Sequence, residues 1–138
     1  MILKPKDSWW LLRAIGFFAA LVGKRDMWDE TWTTIGGVVY YPVDVVDPKD
    51  PCYLATREHE AVHCRQQEGW PWLLWLAVYA LIPLPVGFAY FRWKWEREAY
   101  LVNIKKHGYR PEWCADTLQQ YLWPWPKKRM LRWFERNR

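Results

Sequence analysis

Cysteine is scarce in this chain: Cys52, Cys64 and Cys114 are the only three in 138 residues, and none sits in a CxxC pair. That excludes a disulfide framework of the small secreted kind and a metal site built on paired cysteines. The odd count also favours a reducing compartment. Charge is missing altogether from Gly69 to Phe91, a stretch long enough to raise the question of a transmembrane helix. Asp44, Asp47 and Asp50 lack the ligand and glycine pattern of an EF-hand, so they read as a solvated loop rather than a calcium site. Internal repeats and low-complexity tracts are absent. At 51% apolar and 19% aromatic, the composition excludes a disordered chain. Histidine is equally sparse, with three residues, yet His59 and His63 stand four apart.

The length suits one domain with a real core. Thirteen tryptophans imply an aromatic core, a membrane-interface belt or a broad partner surface. The net charge of +5 is localised, because residues 127–138 carry six basic side chains and one acidic one. Leu131, Trp133 and Phe134 interleave with those charges. The segment therefore reads as a basic tail or helix that packs one face on its own domain, with an anionic membrane surface as the next choice and nucleic acid disfavoured. At the other end, Lys4 and Lys6 followed by an apolar run suggest a signal peptide, but Arg13 interrupts the run and no small-x-small site follows. Trp9, Leu12, Ile15 (or Gly16) and Ala19 recur at helical spacing. They predict a retained amphipathic helix over 8–22 that packs on the domain or lies on a membrane.

Residues 31–41 are rich in β-branched and aromatic types and are split by Gly36-Gly37. They predict either a tight hairpin or one strand with a bulge. A loop follows from 43 to 53, then a helix over 55–68, which Gly69 and Pro71 stop. Pro83-Leu84-Pro85 breaks the uncharged run into arms too short to span a bilayer. The reading is an apolar helical hairpin over 70–91, buried or dipping partway into a membrane, with its return helix running over 86–107. A further helix over 111–122 and a rigid Trp123-Pro124-Trp125-Pro126 connector precede the basic segment. The expected fold class is α+β, mainly helical, with one domain over 1–126 and a basic extension over 127–138.

The 55–68 helix carries His59-Glu60-Ala61-Val62-His63, an HExxH motif. Residues four apart share a helix face, so both imidazoles can address one metal ion, and Glu60 can reach a water beside it as general base. A zinc site needs a third protein ligand. The return helix offers Glu96 and Glu98, two positions apart and therefore facing different ways. The chain must double back for either acid to reach the histidines. His107 closes the return helix, where interaction with the helix dipole is the simpler role. Cys64 points away from the metal face, and Cys52 in the preceding loop is a remote alternative ligand.

HEAVH followed by EREAY resembles the gluzincin metallopeptidases, whose Zn²⁺ is held by HExxH and a Glu on a later helix. The resemblance implies a compact zincin-like domain with His59, His63 and Glu96 as metal ligands, Ala99 as the small residue after the third ligand, and Glu60 as catalytic base. Glu98 stays as the fallback ligand, and Tyr100 departs from the Asp or Asn often found at its position. In compact members of the family a strand before the motif helix aligns an extended peptide by edge pairing, and residues 31–41 occupy that place. A TIGG-like strand, HExxH with nearby Gln, a Pro-broken apolar hairpin and WxxEAY are together similar to small proteins of tailed-phage and prophage genomes, over about residues 31–106.

The function so implied is zinc-dependent peptide-bond hydrolysis on a peptide or protein substrate. Phage virion proteins are among the implied partners, and a cytoplasmic or virion-associated setting is favoured over peripheral membrane contact. The alternative is a non-enzymatic assembly or membrane-associated protein with a structural metal site. Tyr40, Tyr41, Tyr100 and Arg92 are candidate oxyanion donors. Gln66 or Gln67 is expected to bond the backbone of a neighbouring element.

Overall fold

The computed structural model describes residues 1–21, 29–80, 89–121 and 126–138. In chain order its elements are β1 (Ile2–Pro5), α1 (Trp10–Leu21), β2 (Thr33–Ile35), β3 (Val38–Tyr41), α2 (Leu54–Gln67), α3 (Trp72–Ala80), α4 (Ala89–His107), α5 (Pro111–Tyr121) and α6 (Lys127–Asn137). Single 3-10 turns cover Lys6–Ser8 and Pro51–Tyr53. The fold is α+β and mainly helical, as the sequence pattern implies. No described helix is long and apolar enough to cross a membrane.

Gly36 and Gly37 decide between hairpin and bulge. Both have positive φ, 60° and 76°, which a two-residue type I′ turn requires at both central positions. β2 and β3 therefore pair antiparallel, with Ile35 opposite Val38 and Thr34 opposite Val39. β1, a strand the sequence pattern does not announce, runs parallel along the other side of β3, giving the order β1-β3-β2. Its pairing is non-local, and a four-residue segment ending in proline carries too little periodicity to be read as a strand alone.

Strand alternation then sorts the side chains. Ile35, Val38 and Tyr40 face α1, packing with Leu12, Trp9 and Ile15. Thr34 and Val39 project from the opposite side of the sheet, where α2 packs. The amphipathic helix expected over 8–22 is thus α1, docked on the sheet. Its outward stripe still carries Trp10, Phe17 and Leu21 exposed.

α2 ends at Gln67, where Gly69 takes φ 81°. α4 runs back along α2 and is its main partner. The Pro83-Leu84-Pro85 turn, residues 86–88 expected to open the return helix, and most of the 123–126 connector lie outside the described residues. The second core joins Trp93, Tyr100 and Ile104 of α4 to Cys114, Ala115 and Leu118 of α5 and to Met130 and Phe134 of α6. The basic segment 127–138 is therefore a helix of the same core, with its charged face outward. Arg97 lies over the Trp133 ring at 4.8 Å, a cation–π contact that ties α4 to α6.

Phe134 fills the centre of this core with no surface left open. Phe134→Ala should lower unfolding free energy by about 3–5 kcal/mol. A urea titration followed by tryptophan fluorescence measures it, and a loss under 1 kcal/mol, roughly the size of a surface substitution, would show that α6 is not part of the core.

Candidate metal centre

α2 turns five side chains inward: His59, Glu60, Val62, His63 and Gln67. Helical spacing divides them between two neighbours. His59 and His63 meet α4, while Glu60 and Gln67, seven apart, meet β2. The imidazole Nε2 atoms stand 3.3 Å apart. Glu96 brings its Oε2 to 3.5 Å from the first and 3.6 Å from the second. Three tetrahedral ligands about 2.0–2.1 Å from one zinc ion would be separated by about 3.3–3.4 Å. The triangle matches that figure, and the three residues form a group that could hold a metal ion. Among the described residues no fourth His, Cys, Asp or Glu joins it.

Burial separates the two acids on α4. Glu96 is 3% exposed, whereas Glu98 is on the surface. Glu98 is still connected to the site: its Oε2 accepts from Gln66 Nε2 at 2.9 Å, which also donates to Trp95 O at 3.1 Å. Those two acceptors fix the Gln66 amide, so its Oε1 is the atom presented to His63 Nδ1, 2.9 Å away. An acceptor there keeps the proton on Nδ1 and leaves the Nε2 lone pair free for a metal.

His59 has the matching partner in Asn103, whose side-chain amide lies 3.4 Å from Nδ1. Asn103 Oδ1 is buried without a hydrogen-bond partner. With its amide turned so that the oxygen faces the ring, Asn103 would accept the Nδ1–H of His59. Asn103 sits two helical turns beyond Glu96, and between them the Tyr100 ring stands edge-on to His59 with centroids 4.7 Å apart.

Glu60 is buried, and its Oε2 accepts a 2.6 Å hydrogen bond from Thr34 Oγ1 on β2. Gln67 reads the same strand: Nε2 donates to Thr34 O at 2.9 Å, and Oε1 accepts from Gly36 N at 2.7 Å. Both glutamines thus bond neighbouring backbone. Gln67 uses the outward backbone positions that a further strand would use. Backbone pairing of a peptide at Thr34 O and Gly36 N would have to displace both bonds.

The remaining candidates fall elsewhere. His107 pairs with Glu58 at 3.0 Å and Cys64 Sγ lies 3.7 Å from Gly37 O. Cys52 is exposed, its backbone N–H donating to Asp50. The aspartate loop closes on Arg57, which donates to Pro48 O and Asp50 O. Of the candidate oxyanion donors, Tyr40 stacks on Trp9 and Tyr41 tilts against Trp32, while Tyr100 and Arg92 lie on the ligand helix.

The sequence pattern did not single out Thr34 or Asn103, and it marked Lys6 only as part of a basic N-terminus. Lys6, buried just past β1, is lowered to about 8 by burial, against the opposing pull of Asp29 and Glu60. It lines a cavity of about 640 Å³ bordered by α1 residues Leu12, Arg13 and Phe17. The spacing of Asn103 from Glu96 was a usable signal, whereas Thr34 and Lys6 become neighbours of Glu60 only through sheet packing.

Burial penalises a charged His63 ring, but the Glu96 carboxylate beside it more than compensates, and the imidazole is pushed up to about 9. Burial likewise opposes ionisation of Glu96, and the facing His63 and His59 hold it well below the usual carboxylate range. Without a metal, His63 and Glu96 form a buried ion pair. Comparison with protein-family models, curated proteins and solved structures finds no match to this chain.

Two outcomes follow from this geometry. In metal-free protein, the raised His63 stabilises the fold fully below 6.5 and loses that effect as pH climbs through about 9. The lowered Glu96 stabilises above 4.5 and loses its effect as pH falls. Thermal melts of chelator-treated protein should therefore peak between those pH values. Zn²⁺ must displace the His63 proton, so affinity should drop as pH is lowered from 9. Asn103→Ala and Gln66→Ala should each weaken Zn²⁺ by about 10- to 100-fold in competition titrations. Unchanged affinity in both would mean that neither amide orients a ligand.

Proposed function

We propose that this protein is a zinc-dependent metallopeptidase of the gluzincin kind. The observation that carries the reading is the buried His59–His63–Glu96 triangle, which no fourth His, Cys, Asp or Glu joins among the described residues, with Glu60 buried next to His59 on the same helix. Structural zinc sites close with four protein ligands, whereas catalytic ones keep a position for water or substrate. Zn²⁺ held there would supply Lewis acidity, making water a nucleophile near neutral pH and polarising the scissile carbonyl.

The chain's own residues supply the rest. Glu60 has Oε2 committed to Thr34, which leaves Oε1 to take a proton from the attacking water and return it to the leaving amine. Thr34 is a positioning residue: its hydroxyl fixes the carboxylate without meeting the substrate. Gln66 and Asn103 keep both imidazoles in the tautomer with a free Nε2. Tyr100 and Arg92, on the ligand helix, are the donors this reading assigns to the developing oxyanion. The substrate class is a peptide or protein, and the phage resemblance makes virion proteins the first substrates to try.

Glu60→Gln preserves shape and should abolish hydrolysis of a peptide library while zinc content stays at one per chain. Cleavage that survives the substitution would sink the proposal. Thr34→Val should lower kcat by about 10- to 100-fold through a misplaced base, with KM and zinc affinity unchanged. Thr34→Ser should restore activity, because it keeps the hydroxyl.

A further inference from the structure

α3 is apolar around its whole circumference, and no charged residue occurs from Gly69 to Phe91. A helix of that kind is normally buried on every side. Here it is not. Trp70 is 44% exposed, Trp72 40%, Leu73 63%, Leu74 51% and Phe91 40%. Trp70 and Phe91 flank a single buried ring, Trp95, with centroids 6.3 and 6.0 Å away, and Trp75 stacks on its face at 5.3 Å. The exposed residues therefore surround one aromatic cluster. On the other side Trp72 meets Trp9, just before α1, at 5.6 Å. An apolar surface this size on a small domain marks an interaction site.

We propose that this face, the first turn of α3 with the start of α4, docks the protein peripherally on an anionic lipid bilayer. Three observations select a bilayer over a second copy of the chain. The α3 helix has nine residues, about 13 Å of helix against roughly 30 Å of hydrocarbon, so it enters the interface without crossing. Three of the five exposed residues are aromatic and two of those are tryptophan, the side chain that settles at the headgroup level. The net charge is +5, with Lys128, Arg129, Arg132 and Arg136 exposed on α6, so the attraction is that of the whole molecule's charge rather than of charges within the face. Two such copies repel each other, while an anionic headgroup layer attracts each one. The uncharged run also means that insertion desolvates no ionised side chain.

This inference is independent of the peptidase reading, since no metal ligand belongs to the face. Full-length zinc-loaded protein is floated with vesicles of phosphatidylcholine alone and of phosphatidylcholine with roughly 30% phosphatidylserine. The expected result is flotation with the anionic vesicles, weakened by salt, together with a blue shift of tryptophan emission and quenching by shallow brominated lipids. Leu73→Asp/Leu74→Asp lies on the exposed side and should cut vesicle binding at least about tenfold. Lys128→Glu/Arg132→Glu should reduce binding to the anionic vesicles. Far-ultraviolet circular dichroism and the urea midpoint check that both variants fold. If the leucine variant fails to fold, quenching of the unaltered protein decides: contact quenching supports the docking face and its absence overturns it. The proposal is also overturned if the unaltered protein floats with neither vesicle type, or if the folded leucine variant binds as well as the parent. A dimer that this substitution breaks, in a protein that ignores vesicles, would assign the face to a second copy.

Discussion

A carboxylate at Glu96, 3% exposed and facing two imidazole nitrogens, has to be compensated, because an unpaired buried charge costs several kcal/mol. Much of the molecule serves that compensation. It requires α4 to run back along α2 in a register that puts Glu96 opposite the gap between His59 and His63. The α5–α6 core takes in Trp93, Tyr100 and Ile104 of α4, and Tyr100 also stands edge-on to His59 of α2. The sheet holds α2 from its other side through Glu60 and Gln67. The site is thus clamped between a helical core and a three-stranded sheet. In metal-free protein a proton on His63 neutralises Glu96, the same electrostatic task that a divalent cation would take over. That makes the arrangement persistent rather than dependent on loading.

Adjacent residues on α2 divide the work through helix geometry alone. Gln66 and Gln67 are about 100° apart around the axis, and each makes two or more bonds to a different neighbour. Gln66 bridges His63 to Trp95 O and Glu98, so a surface acid and a helix carbonyl set the tautomer of a buried imidazole. Gln67 binds the strand that delivers Thr34 to Glu60. The placement of Glu60 and of the His63 ring therefore depends on one helical turn.

How much of this was legible follows from the range of each interaction. His59 and His63 are four apart, so their shared face is a local fact that one helical period reveals. Glu96 was legible as a residue type on a returning helix, but its choice over Glu98 is settled by burial, which depends on what α2 presents. Asn103 lies on the Glu96 face at a spacing of seven and was readable in principle, although nothing marked an asparagine there as a ligand's partner. Thr34 and β1 were not readable. The hydroxyl bond to Glu60 spans 26 positions, and β1 exists only through parallel pairing with β3, a contact with no local signature. The hairpin turn sits between these cases: Gly36-Gly37 announced a tight reversal, and positive φ at both residues chose the hairpin over the bulge.

The apolar face and the metal centre meet on α4. Trp95 and Glu96 are consecutive and point about 100° apart, the ring into the Trp70–Trp75–Phe91 cluster and the carboxylate toward the histidines. Trp95 O also accepts from the glutamine that orients His63. Anything that shifts the aromatic cluster along α4 therefore bears on both Glu96 and the glutamine that holds His63. The tight packing of Trp75 on Trp95 resists such a shift, since ring stacking tolerates little displacement before contact is lost. A chain with thirteen tryptophans uses them here in two ways: buried rings make the cluster rigid, and exposed ones at its rim give the rigid body a side suited to an apolar surface. Glu96 points about 100° away on the same helix, so none of the exposed apolar side chains touches the His59–His63–Glu96 group.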